Sequence, residues 1–157
     1  MAPSAPSSLS RPTCPACGFV HFQDPKVAVV AVISWQRRVL LIKRRFGHAK
    51  GRWALPGGFM DAGEMPHDAL IREVREEVGL AISPGDLLDI LPMDDPDKGL
   101  IGIVLAYTAL PISPPAGNLA AADDAIEARW SDPDALPEAL AFSGTRRLLQ
   151  LWRSAGA

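Results

Sequence analysis

The chain reads as one mixed α+β domain, and three observations lead there. Several apolar runs of strand length are separated by turn-prone residues, one central stretch carries an apolar stripe at helical spacing, and no internal repeat is present. At 157 residues the chain is about the size at which one hydrophobic core closes.

In order along the chain, residues 27–35 stay apolar up to Ser34 and predict a buried strand. Residues 39–44 predict its neighbour across a turn at 36–38. A short strand is expected to include Trp53 and Ala54, followed by the turn-forming run Leu55-Pro56-Gly57-Gly58. A helix is predicted over 66–78: Pro66 suits its first turn, where a missing N–H costs nothing, and Gly79 closes it. Leu70, Val74 and Val78 recur every four residues with Ala69 and Ile71 beside them, the stripe of a helix packed on a sheet. Downstream, 87–91 and 99–110 predict strands around a turn-prone 93–99, and 125–130 predicts another. The Pro-, Gly- and Ala-rich residues 111–124 read as a loop long enough to border a functional site. Residues 133–136 suggest a short helix, and 145–152 a longer amphipathic one with Leu148, Leu149 and Trp152 toward the core.

Composition narrows the partners. Hydrophobic residues make up 48% and charged residues 22%, and a formal charge of -2 offers no general attraction to nucleic acid or to an anionic membrane. The clusters Lys43-Arg44-Arg45 and Arg146-Arg147 are too short for a basic stripe interleaved with aromatics, so nucleic acid is not the expected partner. The apolar run at 27–35 is strand-sized rather than a membrane span. Residues 1–12 are Pro/Ser-rich and lack the apolar core of a secretory signal, so a cytoplasmic protein with a flexible segment over 1–13 is expected.

The helix over 66–78 carries most of the chemistry. Glu73 lies three and four residues before Glu76 and Glu77, so their side chains crowd each other on adjacent turns. Like charges at that spacing disfavour an isolated helix by roughly 0.2–0.5 kcal/mol per pair, and acidic groups near a helix C-terminus oppose its dipole. Such a face is costly unless something positive binds it. Mg²⁺ and Mn²⁺ take carboxylate oxygens and water in octahedral sets, which leaves positions open for a phosphate oxygen and a nucleophile.

Residues 58–80 set Gly58, five further residues, Glu64, seven further residues, then Arg72-Glu73-Val74-Arg75-Glu76-Glu77-Val78-Gly79-Leu80. This pattern resembles the Nudix box at every fixed position. The resemblance implies an α/β/α sandwich with a mixed sheet over about 25–154, and a divalent-metal-dependent pyrophosphohydrolase cleaving a nucleoside diphosphate linked to another moiety. It implies Glu73, Glu76 and Glu77 as metal ligands or their partners, Arg72 as the group orienting a box glutamate, and Glu64 as support for the metal site or the loop. Gly58 would let the loop backbone turn and reach a ligand. Glu77 is the first choice for a base-or-ligand role. A fold kept only for nucleotide binding would be expected to have lost a box carboxylate, and none is lost.

Other candidates lie outside the box. Arg44, Arg45 and Lys50 bracket the glycine loop and are candidates for phosphate contact, against the plain alternative of surface charge, while Arg52 is placed to hold the loop. Trp53 either stacks on a base or packs the loop; Phe46 and Tyr107 are weaker stacking candidates, and His48 and His67 weaker phosphate contacts. Glu127 is the candidate acid reaching the site from a late strand, with Asp123 and Asp124 as its rivals.

Cys14-Pro15-Ala16-Cys17-Gly18 resembles one knuckle of a zinc ribbon, yet structural zinc takes four protein ligands. Three readings of residues 14–24 stand open: a half-ribbon without metal, zinc completed by His21 or by distant or intermolecular ligands, and redox chemistry. The knuckle, Trp53 ahead of the glycine loop and the late Phe142-Ser143-Gly144-Thr145 resemble the Nudix subgroup of ADP-ribose and NADH pyrophosphatases. The first half of the ribbon is absent, and so is the array Ser-Gln-Pro-Trp-Pro-Phe-Pro associated with NADH pyrophosphatases. The resemblance therefore favours ADP-ribose, split to AMP and ribose 5-phosphate, over NADH or a nucleoside triphosphate. The apolar segment at Phe19, Val20 and Phe22 could support a homodimer.

Overall fold

The computed structural model describes residues 11–22, 24–95, 99–115 and 119–156. Strand β1 (Lys26–Trp35) turns tightly through Gln36 and Arg37, both at positive φ, into β2 (Arg38–Arg44). The two strands pair only at Ser34↔Val39 and Trp35↔Arg38 and then part. Two short strands fill the gap: β3 (Trp53–Ala54) pairs with β2, and β4 (Gly57–Phe59) pairs with β1. Beyond β1, β6 (Gly99–Pro111) runs parallel to it, and the edge strand β5 (Ile82–Asp95) runs antiparallel to β6. Strand β7 (Ala125–Ser131) pairs antiparallel with β2, completing a seven-stranded mixed sheet.

One helix covers each face. Helix α1 (Pro66–Val78) buries Ala69, Leu70, Val74 and Val78 against Val29, Ala31 and Ile33 of β1 and Leu40 and Ile42 of β2. Helix α2 (Ser143–Ser154) buries Leu148, Leu149 and Trp152 against Val32, Val39 and Leu41, and the Trp152 indole N–H donates to Ser34 Oγ at 2.8 Å. The alternation of side chains along β1 and β2 thus feeds two separate cores, and the expected sandwich is the fold. At the end of α1, Gly79 adopts φ 69° and donates its N–H to the Arg75 carbonyl.

Three expectations are corrected. Gly57 and Gly58, read as part of a turn, form β4 with Phe59: a Cβ on Gly57 would run into the Val29 carbonyl, so the glycine serves a close strand-to-strand approach. Strand β5 begins at Ile82 rather than at residue 87, because Pro84 and Gly85 are absorbed by register shifts on an edge strand and the Asp86 N–H reaches Thr108 Oγ1 at 3.0 Å. Residues 133–136 form a turn closed by the Ala135 N–H on the Asp132 carbonyl, and Pro137 disfavours helical backbone at Leu136.

At the other end of the chain, residues 11–22 make a small hairpin in which Thr13 bridges to Val20 and the Cys14 N–H meets the Phe19 carbonyl at 2.8 Å. Residues 1–10, expected to be flexible, lie outside the described residues.

Candidate active site

Where β1 and β2 part, the loop from β4 into α1 lies open, and Arg72 of α1 clasps it. The Arg72 guanidinium donates from Nε and one terminal nitrogen to both oxygens of Glu64, at 2.7 and 2.9 Å, and to the Phe59 carbonyl at 3.1 Å. Its other terminal nitrogen donates to Glu73 at 2.9 Å and Glu76 at 3.2 Å. Glu64 also accepts the Asp61 N–H at 2.9 Å. Bidentate pairing with Arg72, aided by that N–H, holds the Glu64 carboxyl down at about 2. Arg72 itself is held well above its usual value, chiefly by Glu64 and then Glu73. Glu64 is therefore a clasp with both oxygens committed.

Glu77 stands in contrast. It is 2% exposed, on the sheet-facing side of α1, and accepts the Gly57 N–H at 2.9 Å. Burial pushes its carboxyl up to about 8; the Gly57 N–H and Arg44 oppose the shift, while Glu73 and Asp124 add to it. Glu73, one turn earlier and half-buried, is raised too, by burial first, with Arg72 opposing and Glu76 and Asp123 adding. A Cβ on Gly58 would overlap the Glu73 carboxylate. Gly58 lies outside the positive-φ region, so its expected role as a turn is corrected: its missing side chain makes room for a carboxylate.

These groups border a cleft of about 330 Å³ lined by Arg44, Gly57, Gly58, Phe59, Asp61, Arg72, Glu73, Glu76, Asp123 and Asp124. The turn bearing Asp123 and Asp124 is delivered by backbone bonds: the Ala122 N–H to the Glu77 carbonyl at 2.9 Å, and the Arg45 N–H to the Asp124 carbonyl at 2.7 Å. The Arg45 side chain donates to the Ala125 carbonyl at 3.1 Å. Arg45 thus holds the turn instead of lining the cleft. Arg44 does line it, with its guanidinium over the Phe142 ring at 5.2 Å.

Two candidates are corrected by the sheet. Glu127 pairs in register with Lys43 and forms an exposed 3.4 Å ion pair with it, whereas the neighbouring Ala128 and Trp130 pack in the α1-side core. Alternation therefore turns Glu127 to the face away from the box helix. Trp53 is 6% exposed in the α2-side core, covered by Arg129 at 4.2 Å, so its ring is not open to a base. His48 packs edge-on against Phe142 and His67 against Tyr107. Lys50, Arg52 and Phe46 are exposed and outside the cleft lining. Sequence reasoning missed Gly57, Phe59 and Asp61. Phe59 and Asp61 fall at variable positions of the box, and Gly57 was visible only as half of a glycine pair.

Five carboxylates, Asp61, Glu73, Glu76, Asp123 and Asp124, share the cleft lining with two guanidiniums, of which Arg72 is already committed. Among the described residues no group of three metal-binding side chains forms; Glu73 and Glu76 both accept from one terminal nitrogen of Arg72, and Glu77 accepts from Gly57. The donor set nevertheless fits a hard divalent cation: oxygens only, partly buried and mutually repelling.

A mixed sheet between two helices carries this acidic cleft at the parting of two strands, and the comparisons with known proteins give its class, a hydrolase acting on phosphoanhydride bonds. The NUDIX domain model matches residues 23–152, and the chain belongs to this family of hydrolases, which generally need divalent metal ions. It is 41% identical over 123 residues to the ADP-ribose pyrophosphatase of Methanocaldococcus jannaschii, covering 77% of this chain and 69% of that protein. It is 30% identical over 149 residues to the NAD-capped RNA hydrolase NudC of Pseudomonas aeruginosa, covering 92% of this chain but only 50% of that protein. A crystal structure of a NUDIX hydrolase from Nitrosomonas europaea superposes with a TM-score of 0.82 at 26% identity, covering 96% of this chain and 84% of that one.

Proposed function

We propose that the protein splits ADP-ribose to AMP and ribose 5-phosphate, using Mg²⁺ or Mn²⁺. The observation that carries this reading is the charge of the cleft: five carboxylates against one uncommitted guanidinium repel a pyrophosphate unless a cation joins them. The similarity to the archaeal ADP-ribose pyrophosphatase supports the choice of substrate. Glu73 and Glu76 from the lining and Glu77 from beneath are the residues to hold the cation. When bound, such an ion polarises phosphoryl oxygens and acidifies water. Arg44, the remaining cation of the lining, binds a phosphate oxygen. Asp123 and Asp124 take the place expected of Glu127, reaching the site from outside the box, and one of them accepts the proton of the attacking water. Phe59, 51% exposed and the aromatic residue of the lining, carries the Lys26 ammonium over one face at 5.0 Å and offers the other to the nucleoside.

The test is incubation with Mg²⁺ or Mn²⁺ and ADP-ribose, NADH, NAD-capped RNA, nucleotide sugars and nucleoside triphosphates, with products identified by mass. AMP and ribose 5-phosphate formed fastest from ADP-ribose is the expected result. Faster release of pyrophosphate from a triphosphate, or faster cleavage of NADH or of the RNA cap, would replace the substrate assignment.

A further inference from the structure

Two arginines border the cleft, and they are held differently. Arg72 is committed to Glu64, Glu73 and Glu76. Arg44 shares the lining with five carboxylates, yet among the described residues it enters no ion pair, and its buried Nε has no hydrogen-bond partner. A long, flexible cation in acidic surroundings is expected to settle on one of the carboxylates, as Arg72 does. What holds Arg44 instead is the Phe142 ring, whose centroid lies 5.2 Å from the guanidinium carbon.

Neither the helix nor the core accounts for Phe142. It is the N-cap residue of α2, a position that favours Ser, Thr, Asp or Asn, and its side chain caps nothing. At 39% exposed it stands clear of the buried stripe of that helix. Its place is fixed all the same, because the residues before it are zipped onto β3: the Trp53 N–H donates to the Ala139 carbonyl at 2.9 Å and the Ala141 N–H to the Trp53 carbonyl at 2.7 Å. His48, between β2 and β3, meets the ring edge-on, with centroids 5.9 Å apart. Phe142 is not part of the cleft lining, so it reaches a ligand there only through Arg44.

We propose that Phe142 is a positioning residue, whose ring holds the Arg44 guanidinium off the acidic lining and ready for a phosphate oxygen of the substrate. The inference rests on the phosphate contact assigned to Arg44 above. An arginine loses rotamer freedom when it takes up a phosphate, and the ring brings that loss forward to the free enzyme. The contact serves the bound substrate and the transition state alike, so its removal raises KM more than it lowers kcat.

The test is steady-state kinetics with Mg²⁺ and the substrate turned over fastest in the product analysis, ADP-ribose in the expected case. Phe142→Leu keeps apolar bulk and removes the π face; KM should rise about 2- to 30-fold, the range of a cation–π contact, with kcat near wild type. Phe142→Met serves the same purpose if the leucine unfolds the protein by circular dichroism. Phe142→Tyr keeps the face and should restore KM. Arg44→Ala should raise KM at least as much as Phe142→Leu, and adding Phe142→Leu to Arg44→Ala should change nothing further. An unchanged KM in Phe142→Leu, a Phe142→Tyr variant no better than Phe142→Leu, or a Phe142→Leu effect that persists in full without Arg44 would overturn the positioning role and leave the phosphate contact standing. Wild-type KM in Arg44→Ala would overturn that contact and the positioning role together.

Discussion

Helices α1 and α2 cover opposite faces of one sheet, and both bury a stripe of three or more apolar side chains. The α2 stripe, Leu148, Leu149 and Trp152, shares its face with two small buried hydroxyls, Thr145 on the helix and Ser131 on β7, and with no buried charge among the described residues. The α1 stripe includes Glu77, whose carboxyl burial pushes up to about 8. One face is built for stability alone, and the other gives up stability to keep a carboxylate beneath the cleft. Glu64 sharpens the point within α1's own side, since a carboxyl held at about 2 by Arg72 stabilises the loop at neutral pH whereas Glu77 does the opposite.

Exchanging the buried carboxylate should break the comparison most strongly. Glu77→Gln should lower kcat by about 10²–10⁴-fold while the protein stays folded by circular dichroism; near wild-type turnover would remove Glu77 from the site. The same variant should change the pH response of the metal-free protein. Because the folded carboxyl titrates near 8 against an ordinary 4.5, the folded state holds a proton that the unfolded state has lost. Stability should therefore fall as pH rises from about 4.5 to about 8, by on the order of a few kcal/mol. Denaturant titrations at pH 5 and pH 8 should show this fall in wild type and a smaller one in Glu77→Gln, where Glu73, also raised by burial, still contributes, and saturating Mg²⁺ should reduce it.

On the opposite face, Leu148→Ala should cost about 2–5 kcal/mol of stability and leave kcat near wild type at a temperature where the variant is folded. Loss of activity without loss of stability there would contradict the division between the two faces. Gly58→Ala pushes on the Glu73 carboxylate, and a displacement of about 1 Å should cost on the order of 10²-fold in kcat, measurable by steady-state kinetics with a smaller change in Tm. The smallest effect is expected at Glu127→Gln, which removes an exposed pair with Lys43 worth about 0–1 kcal/mol and should leave turnover unchanged; a large loss of kcat would return Glu127 to the site.

Much of this division was legible in the sequence. The period of Leu70, Val74 and Val78 and the glycine after them marked α1, and the spacing of Gly58, Glu64, Arg72, Glu73, Glu76 and Glu77 marked the box, because residues a few positions apart on a helix are neighbours whatever surrounds it. Strands β1, β2, β6 and β7 followed from apolar runs to within a residue at most ends. Strand β4 did not, since two glycines look like a turn until a second strand approaches them.

The sequence by itself therefore determined the helices, the main strands and the carboxylates that share one helix face, all consequences of short-range periodicity. Only the tertiary structure decided that Glu127 faces away from the cleft while Asp123 and Asp124 enter it, that Trp53 is core, and that Gly58 stands aside for Glu73. Those outcomes depend on pairings such as Lys43 with Glu127, 84 residues apart. A one-residue change of register there would reverse every side chain of the strand, and no local pattern records which register the folded sheet selects.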